Sequence, residues 1–274
     1  MYNAPMMKDN VVAKKKFGQN FLKDQSVLHK IIEAMPHSSR TVAEIGPGLG
    51  DLTKYLVDVK GVTAFEVDTD LCKHLTYVFK EEITTSRLTI HCGDVLESWQ
   101  SELLDEPYDL VANLPYYIAT NIILKALADP YCENMLVMIQ REVAEKFSAS
   151  PGEKNFGALS VIAQSIATAE IVLHVPPEAF DPPPKVDSAV LLLQKTASRS
   201  DVVFDIFLKA AFTQPRKTLH KNLSSRYVKE KVKAAIEELQ LSPSIRPHQV
   251  MTSDYHQLYT ILEKGSLDAR RDSD

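Results

Sequence analysis

Ala43-Glu44-Ile45-Gly46-Pro47-Gly48-Leu49-Gly50 stands where an apolar run beginning at Thr41 gives way to a helical pattern over Asp51–Val59. Glycine lets the backbone turn tightly and lets a ligand approach without an obstructing Cβ. A strand, a glycine-rich turn and a helix in this order form either a binding unit of an open α/β sheet or no more than a tight turn between two elements. The spacing is G-x-G-x-G, whereas a pyrophosphate-binding turn uses G-x-G-x-x-G. Pro47 also removes one N–H that a phosphate cradle would use.

Around this unit, short apolar runs at Thr41–Ile45, Val62–Val67, Leu88–His91, Tyr108–Ala112 and Asn134–Gln140 alternate with amphipathic patterns at Asp51–Val59, Asp70–Lys80, Ala119–Ala128 and Arg141–Phe147. Strands alternating with helices predict a parallel sheet covered on both faces. A longer helix is predicted over Phe156–Thr168. Ile171–Val175 and Ser188–Gln194 then read as two strands whose connection, Pro176 to Asp187, has no room for a crossover helix. They form a hairpin, so one of them runs antiparallel to the rest. An α/β, Rossmann-like, mostly parallel sheet ending in an antiparallel hairpin resembles that of class I methyltransferases.

After Lys195 the polar TASRSD reads as a linker, and Val203–Phe212, Arg216–Leu223, Val228–Leu239 and Tyr255–Lys264 are helical in period. The expected organisation is a cofactor-binding catalytic domain over residues 1–195, with a basic N-terminal arm, and a small all-α domain over residues 196–274 ending in a disordered tail, GSLDARRDSD.

Polar residues recur where strands end. Glu66 closes the second strand, 20 residues after Gly46, where a carboxylate accepts both hydroxyls of a ribose. Asp94 follows the third strand and suits an adenine amine as donor; Asn113 ends the fourth. Each acid alone is equally well explained as a helix N-cap. Taken together they mark the carboxyl edge of the sheet, where open α/β folds bind ligands.

Asn113-Leu114-Pro115-Tyr116 carries the most chemistry. An exocyclic amine of adenine is a poor nucleophile because its lone pair is delocalised into the ring. The side-chain carbonyl of Asn113 and the main-chain carbonyl of Leu114 are placed to accept one N–H each, localising the lone pair and stabilising the positive charge that grows on nitrogen. Pro115 biases Leu114 toward an extended conformation, and Tyr116 offers a flat face for a base. Elsewhere the same tetrapeptide is an Asx-turn with a buried tyrosine. Phe180, in the proline-stiffened loop between the last two strands, either stacks on the opposite face of the base or anchors the loop in the core. Such a loop cannot join the sheet.

A hydrophobic content of 45% with 24% charged residues is ordinary for a soluble globular protein. No apolar run approaches the roughly 20 residues needed to cross a bilayer, and the basic N-terminus is not followed by the apolar stretch of a signal peptide. Cys72, Cys92 and Cys132 are widely spaced with no C-x-x-C, which argues against a zinc site and a disulfide framework and for three thiols in a reducing cytosol. No metal is expected. The net charge of −5 opposes nucleic-acid binding until it is divided along the chain. Residues 1–30 carry +4, 31–184 carry −13, 185–233 carry +7 and 234–274 carry −3. An acidic domain is thus flanked by two basic segments, and clustered charge matters more than the total.

Six motifs resemble the small-subunit ribosomal RNA adenine dimethyltransferases. They are FGQNFL from Phe17, EIGPGLGDLT from Glu44, Gly93-Asp94, NLPYY from Asn113, QREVA from Gln140 and PPEAFDPPPKVDSAV from Pro176. The resemblance implies S-adenosyl-L-methionine as cofactor, bound at Asn20, Leu22, Gly46, Gly48, Glu66, Asp94 and Asn113, with Asn20 and Leu22 folding over the pocket. It implies catalysis at Asn113, Leu114, Tyr116 and Phe180, and dimethylation of two adjacent adenines in a hairpin loop of small-subunit ribosomal RNA.

The implied partner is the RNA or the immature small subunit, met in the cytoplasm by a monomer. Lys14, Lys15 and Lys16 read either as phosphate contacts or simply as a flexible basic arm. Arg216, Lys217 and Lys221 read as a second set on one side of a helix, or as an exposed solubilising helix face. There Pro215 replaces a basic residue common in the family, at a position suited to a first helical turn. Rivals are a large-subunit adenine methyltransferase of similar motif and a non-catalytic assembly factor; a DNA adenine methyltransferase is disfavoured because no second sequence-reading domain of useful size is present.

Overall fold

The computed structural model describes residues 19–197 and 202–271. The first half runs β1 (Phe21–Leu22), α1 (Gln25–Glu33), β2 (Thr41–Ile45), α2 (Thr53–Val59), β3 (Val62–Glu66), α3 (Thr69–Val78), α4 (Lys80–Thr84), β4 (Leu88–Cys92), α5 (Val95–Ser98), β5 (Tyr108–Asn113), α6 (Ala119–Ala128) and β6 (Cys132–Gln140). It continues through α7 (Arg141–Ser148), α8 (Ala158–Gln164), β7 (Ala167–Val175), β8 (Phe180–Asp181) and β9 (Ser188–Lys195). The remaining helices are α9 (Val202–Ala211), α10 (Leu219–Leu223), α11 (Lys229–Glu238) and α12 (Thr252–Arg271). No helix among the described residues is long and apolar enough to cross a membrane.

Seven strands form one sheet in the order β4-β3-β2-β5-β6-β9-β7. The first five are mutually parallel, and β9 runs antiparallel to β6. The parallel sheet, the antiparallel strand near its edge and the all-α C-terminal segment agree with the sequence reading. Central strands form because they are apolar without alternation, as strands covered on both faces must be: β5 is buried from Tyr108 to Ala112 and β6 from Met135 to Ile139. The core beneath the site gathers Leu28, Leu56, Val111, Leu136 and Val190 from helices and strands alike. Reversal of β9 has a consequence for the site, since its first residue, Ser188, pairs with Gln140 at the carboxyl end of β6.

The predicted long helix over 156–168 is shorter. Helix α8 stops at Gln164, where Ser165 bonds back to the Val161 carbonyl, and β7 begins three residues later. β7 alternates in burial as an edge strand covered on one face does. Two compact units result, and they are not divided at residue 195. One holds the residues up to Ala144 with Thr168 to the end of β9; the other holds Glu145–Ala167 with the helices from Val202 onward. The second unit has an aromatic core in which Phe207 packs edge-on to Tyr255 and Phe204 stacks on His256. Its last helix continues to Arg271, through much of the segment expected to be an irregular tail.

Two local expectations change. Cys72 of α3 and Cys92 at the end of β4 are joined as a disulfide, while Cys132 is a buried free thiol. The expectation of three thiols rested on spacing along the chain, and the pairing arises from α3 packing against β4, which spacing does not encode. The basic residues at 216–221 do not share one helix. Gln214 to Lys217 form a turn closed by Lys217 N–H to the Gln214 carbonyl at 2.9 Å, with Pro215 in its second position. The helix starts only after Thr218, whose hydroxyl accepts from Lys221 N–H. Buried Asn222 fixes the turn, accepting from Gln214 N–H at 2.7 Å and donating to the Gln214 carbonyl at 3.0 Å.

Candidate active site

Residues at the carboxyl ends of β2, β3, β4 and β5, with β1 and the turn after β5, line one pocket in the first unit. Register brings the strand ends level: Ile45 pairs with Phe65, Glu66 with Cys92, and Asn113 with Met138. Asn20, Leu22, Gly46, Gly48, Glu66, Asp94, Asn113, Leu114 and Tyr116 all line it.

The glycine loop has the shape its composition implied. Gly46 and Gly48 have φ of +71° and +62°, which L side chains rarely adopt. A Cβ on Gly48 would lie 3.1 Å from the Phe21 ring. Glycine therefore admits the close approach of β1, which is folded over the loop. That strand is held from beneath by β8: Leu22 pairs with Phe180, and Lys23 N–H donates to the Ala179 carbonyl at 2.8 Å.

The carboxylates differ in their surroundings. Glu66 is buried, and its oxygens accept from Gly48 N–H at 3.2 Å and Asp68 N–H at 2.9 Å. Burial raises its pKa while those two backbone donors oppose the rise. Asp94 is exposed and caps α5, accepting from Leu96 N–H at 2.9 Å. It is an N-cap and a pocket residue at once, since one oxygen serves the helix. Glu44 is wholly buried in the middle of an apolar strand. Its carboxyl accepts from the Thr53 hydroxyl at 2.7 Å, and burial pushes it up to about 8, with the charge of Glu66 adding to the rise.

At the end of β5, the Asn113 amide nitrogen donates to the Asn20 carbonyl at 3.3 Å. This bond orients the amide, turning its nitrogen to the residue that precedes β1 and leaving Oδ1 as the acceptor. Leu114 is buried, its N–H donating to the Met138 carbonyl at 3.0 Å, and a turn from Pro115 to Ile118 follows. Tyr116 is half-buried, and its hydroxyl lies 2.6 Å from that of Ser188. Burial raises the Tyr116 pKa, so the phenol stays neutral near pH 7.

Phe180 is placed differently from one of its two expected positions. It is 4% exposed, belongs to the core with Leu22 and Val27, and does not line the pocket. Its ring is an anchor under β1, because pairing with Leu22 turns it inward. Arg216, Lys217 and Lys221 are exposed in the second unit. Lys14, Lys15 and Lys16 lie outside the described residues.

Sequence reasoning passed over Glu44, Tyr117 and Ser188. Glu44 was detectable as a lone acid in Thr41–Ile45, otherwise an apolar strand. Tyr117 lines the pocket and is 60% exposed, and after burial the charges of Asp94 and Glu66 raise its pKa, placing the phenol near both. Ser188 carried no sequence signal, since its partner is 72 positions away.

Residues 10–264 match the family described as ribosomal RNA adenine dimethylase. The chain is 65% identical over 264 residues to the ribosomal RNA small subunit methyltransferase A of Sulfurimonas denitrificans, covering 96% of this chain and 98% of that protein. It is 50% identical to the protein of the same name in Aliarcobacter butzleri, covering 94% and 98%. Among solved structures, the 23S rRNA methyltransferase ErmE superposes with a TM-score of 0.70 at 26% identity, covering 89% of this chain and 100% of that one. A dimethyladenosine transferase from Plasmodium falciparum shares the fold, with a TM-score of 0.72 at 24% identity over 87% and 95%. With the class I sheet, the edge pocket and Asn113-Leu114-Pro115-Tyr116 already in place, the match over nearly the whole chain means that this protein belongs to the ribosomal RNA adenine dimethylase family.

Proposed function

We propose that the carboxyl-edge pocket is the site where this chain transfers methyl groups from S-adenosyl-L-methionine to the N6 amine of adenine, and that Asn113 is its central residue. The activity, dimethylation of adenine in small-subunit ribosomal RNA, follows from family membership and from full-length identity to small-subunit enzymes. The likeness to a large-subunit enzyme is far lower in identity, at 26%.

The residues present fit the cofactor. Glu66, held by two backbone N–H groups, would accept from a ribose diol, and Asp94 from an adenine amine. Gly46 and Gly48 give close backbone approach, and Asn20 and Leu22 close the pocket from β1. Bound there, the cofactor supplies an electrophilic methyl group.

The protein's part is orientation and charge. Asn113 Oδ1 and the Leu114 carbonyl accept the two amine hydrogens, drawing the nitrogen toward tetrahedral geometry and stabilising its growing positive charge. No base is required before attack, because the proton leaves only once nitrogen is cationic, so alignment carries most of the acceleration. After the first transfer one N–H remains, and a single carbonyl acceptor suffices to aim it. Tyr116 offers its face to the base. Exposed Arg216, Lys217 and Lys221, with Lys14, Lys15 and Lys16, would contact RNA phosphates. We assign the immature small subunit as partner, met by a monomer in the cytoplasm.

The observation that carries this reading is the Asn113–Asn20 bond, which turns Oδ1 into a dedicated acceptor at the strand end. Asn113→Ala should lower methyl transfer by about 100-fold, the scale of removing one charge-stabilising group. Mass spectrometry of dimethyladenosine in small-subunit RNA measures it. A near wild-type rate would refute the catalytic assignment of Asn113.

A further inference from the structure

We infer that Ser188 is a positioning residue of methyl transfer: its hydroxyl pins the phenol of Tyr116 and so sets the plane against which the target base stacks. The inference rests on the proposed role of Tyr116 and deepens it.

Ser188 occupies a costly place for a hydroxyl. It is 0% exposed and begins a strand whose next residues, Ala189, Val190 and Leu191, are buried and apolar. A buried hydroxyl without a partner is strongly disfavoured, and among the described residues the side-chain partner of Ser188 is Tyr116, at 2.6 Å. The backbone around it is fixed from two directions. Ser188 pairs in register with Gln140 of β6, and the preceding Asp187 receives Arg141 N–H on its carbonyl at 2.9 Å and the Arg141 guanidinium on its carboxylate at 2.7 Å. The oxygen offered to Tyr116 is therefore part of the rigid sheet.

Tyr116, by contrast, projects from a turn. The Pro115–Ile118 turn holds its Cα end, yet the ring is only half-buried and rotates about two torsions unless its far end is tied. The bond to Ser188 ties it. Both ends of the ring are then fixed, one by the catalytic turn and the other by β9. The antiparallel direction of β9 is what makes this possible: only a reversed strand places its first residue at the carboxyl edge, paired with Gln140 and just beyond the level of Asn113, which pairs with Met138. Burial keeps the phenol neutral, so the link acts through geometry rather than ionisation.

The test compares Ser188→Ala, Tyr116→Phe and the double variant in single-turnover methyl transfer to unmethylated small-subunit RNA particles at saturating cofactor. Cofactor affinity and the thermal midpoint are measured alongside. Each single variant should slow transfer by a similar factor, roughly three- to tenfold for one hydrogen bond. The double should be no slower than either, and cofactor affinity should stay within about twofold, since neither hydroxyl is assigned to the cofactor. Tyr116→Phe keeps the ring and decides the matter if Ser188→Ala folds poorly. A Tyr116→Phe enzyme at wild-type rate, or a double variant slowed by the product of the two factors, overturns the inference. Asn113→Ala in the same assay separates the two levels. If it too is unimpaired, the site assignment fails; if it alone is impaired, only the positioning role fails.

Discussion

The two ends of one sheet use buried carboxylates in opposite ways. At the amino end, Asp129 is saturated with donors. One oxygen accepts from Trp99 Nε1 at 2.9 Å, Leu103 N–H at 2.8 Å and the Tyr108 hydroxyl at 2.8 Å; the other accepts from Tyr131 and Cys132 N–H. Asp109 nearby receives Ser38, Arg40 and Asn134, with the Lys60 ammonium at 3.6 Å. At the carboxyl end, Glu44 has one hydroxyl donor, and Glu66 has two backbone donors. A buried charge is tolerated when its lone pairs are filled and is strained when they are not. Filled carboxylates build the frame; under-filled ones, with raised pKa values, line the pocket.

The largest test of this contrast is at the frame. Asp129→Ala removes the acceptor of five donors, all buried or partly so, and should destabilise the protein by about 3–5 kcal/mol in urea unfolding. Methyl transfer per folded molecule should be unchanged. A loss below about 1 kcal/mol would mean that solvent replaces the acceptor, and the distinction between the two ends would collapse.

The next test uses pH at Glu44. Its folded pKa of about 8 lies above the ordinary value of 4.5, so the folded state retains a proton that the unfolded state releases. The stabilisation from neutral Glu44 is complete below about pH 4.5 and is lost as pH rises toward 8, at about 1.4 kcal/mol per pH unit. Between pH 6 and 8 the wild type should therefore lose about 2–3 kcal/mol from this group. Glu44→Gln, which keeps a carbonyl for the Thr53 hydroxyl, should show a flatter profile over that window. Identical pH dependence in the two proteins would show that Glu44 is ionised in the fold.

These contrasts also explain how far the sequence could be read. The sheet was legible because strands buried on both faces are apolar without alternation, as in Tyr108–Ala112, where nothing competes with the strand pattern. Ala167–Glu170 was not, because the helical period of α8 runs on into it and only the edge position of β7 decides otherwise. At the site, the pocket positions of Gly46, Glu66, Asp94 and Asn113 were legible because each ends or closely follows a strand, and a strand end has a known place in a parallel sheet. Phe180 was legible as an important aromatic with two candidate places, and the choice between base face and core was not legible, since its burial depends on β1 arriving from 158 positions earlier to pair with it. Ser188 and the Cys72–Cys92 bond depend likewise on side chains meeting across the fold.

Glu66 sharpens the comparison from the functional side and predicts the smallest effect. Replacing it by Gln removes the charge while keeping one carbonyl for the Gly48 or Asp68 N–H groups. Because burial already disfavours that charge, the unfolding midpoint should hold or rise slightly. The charge-assisted bonds proposed to a ribose diol would become neutral ones. Affinity for the cofactor should then fall about tenfold, or ~1.4 kcal/mol, by calorimetric titration. Stability and binding thus move in opposite directions here, whereas at Asp129 stability alone moves. A Glu66→Gln protein that binds cofactor normally but unfolds more easily would place Glu66 with the frame, and the carboxyl edge would lose its distinguishing property.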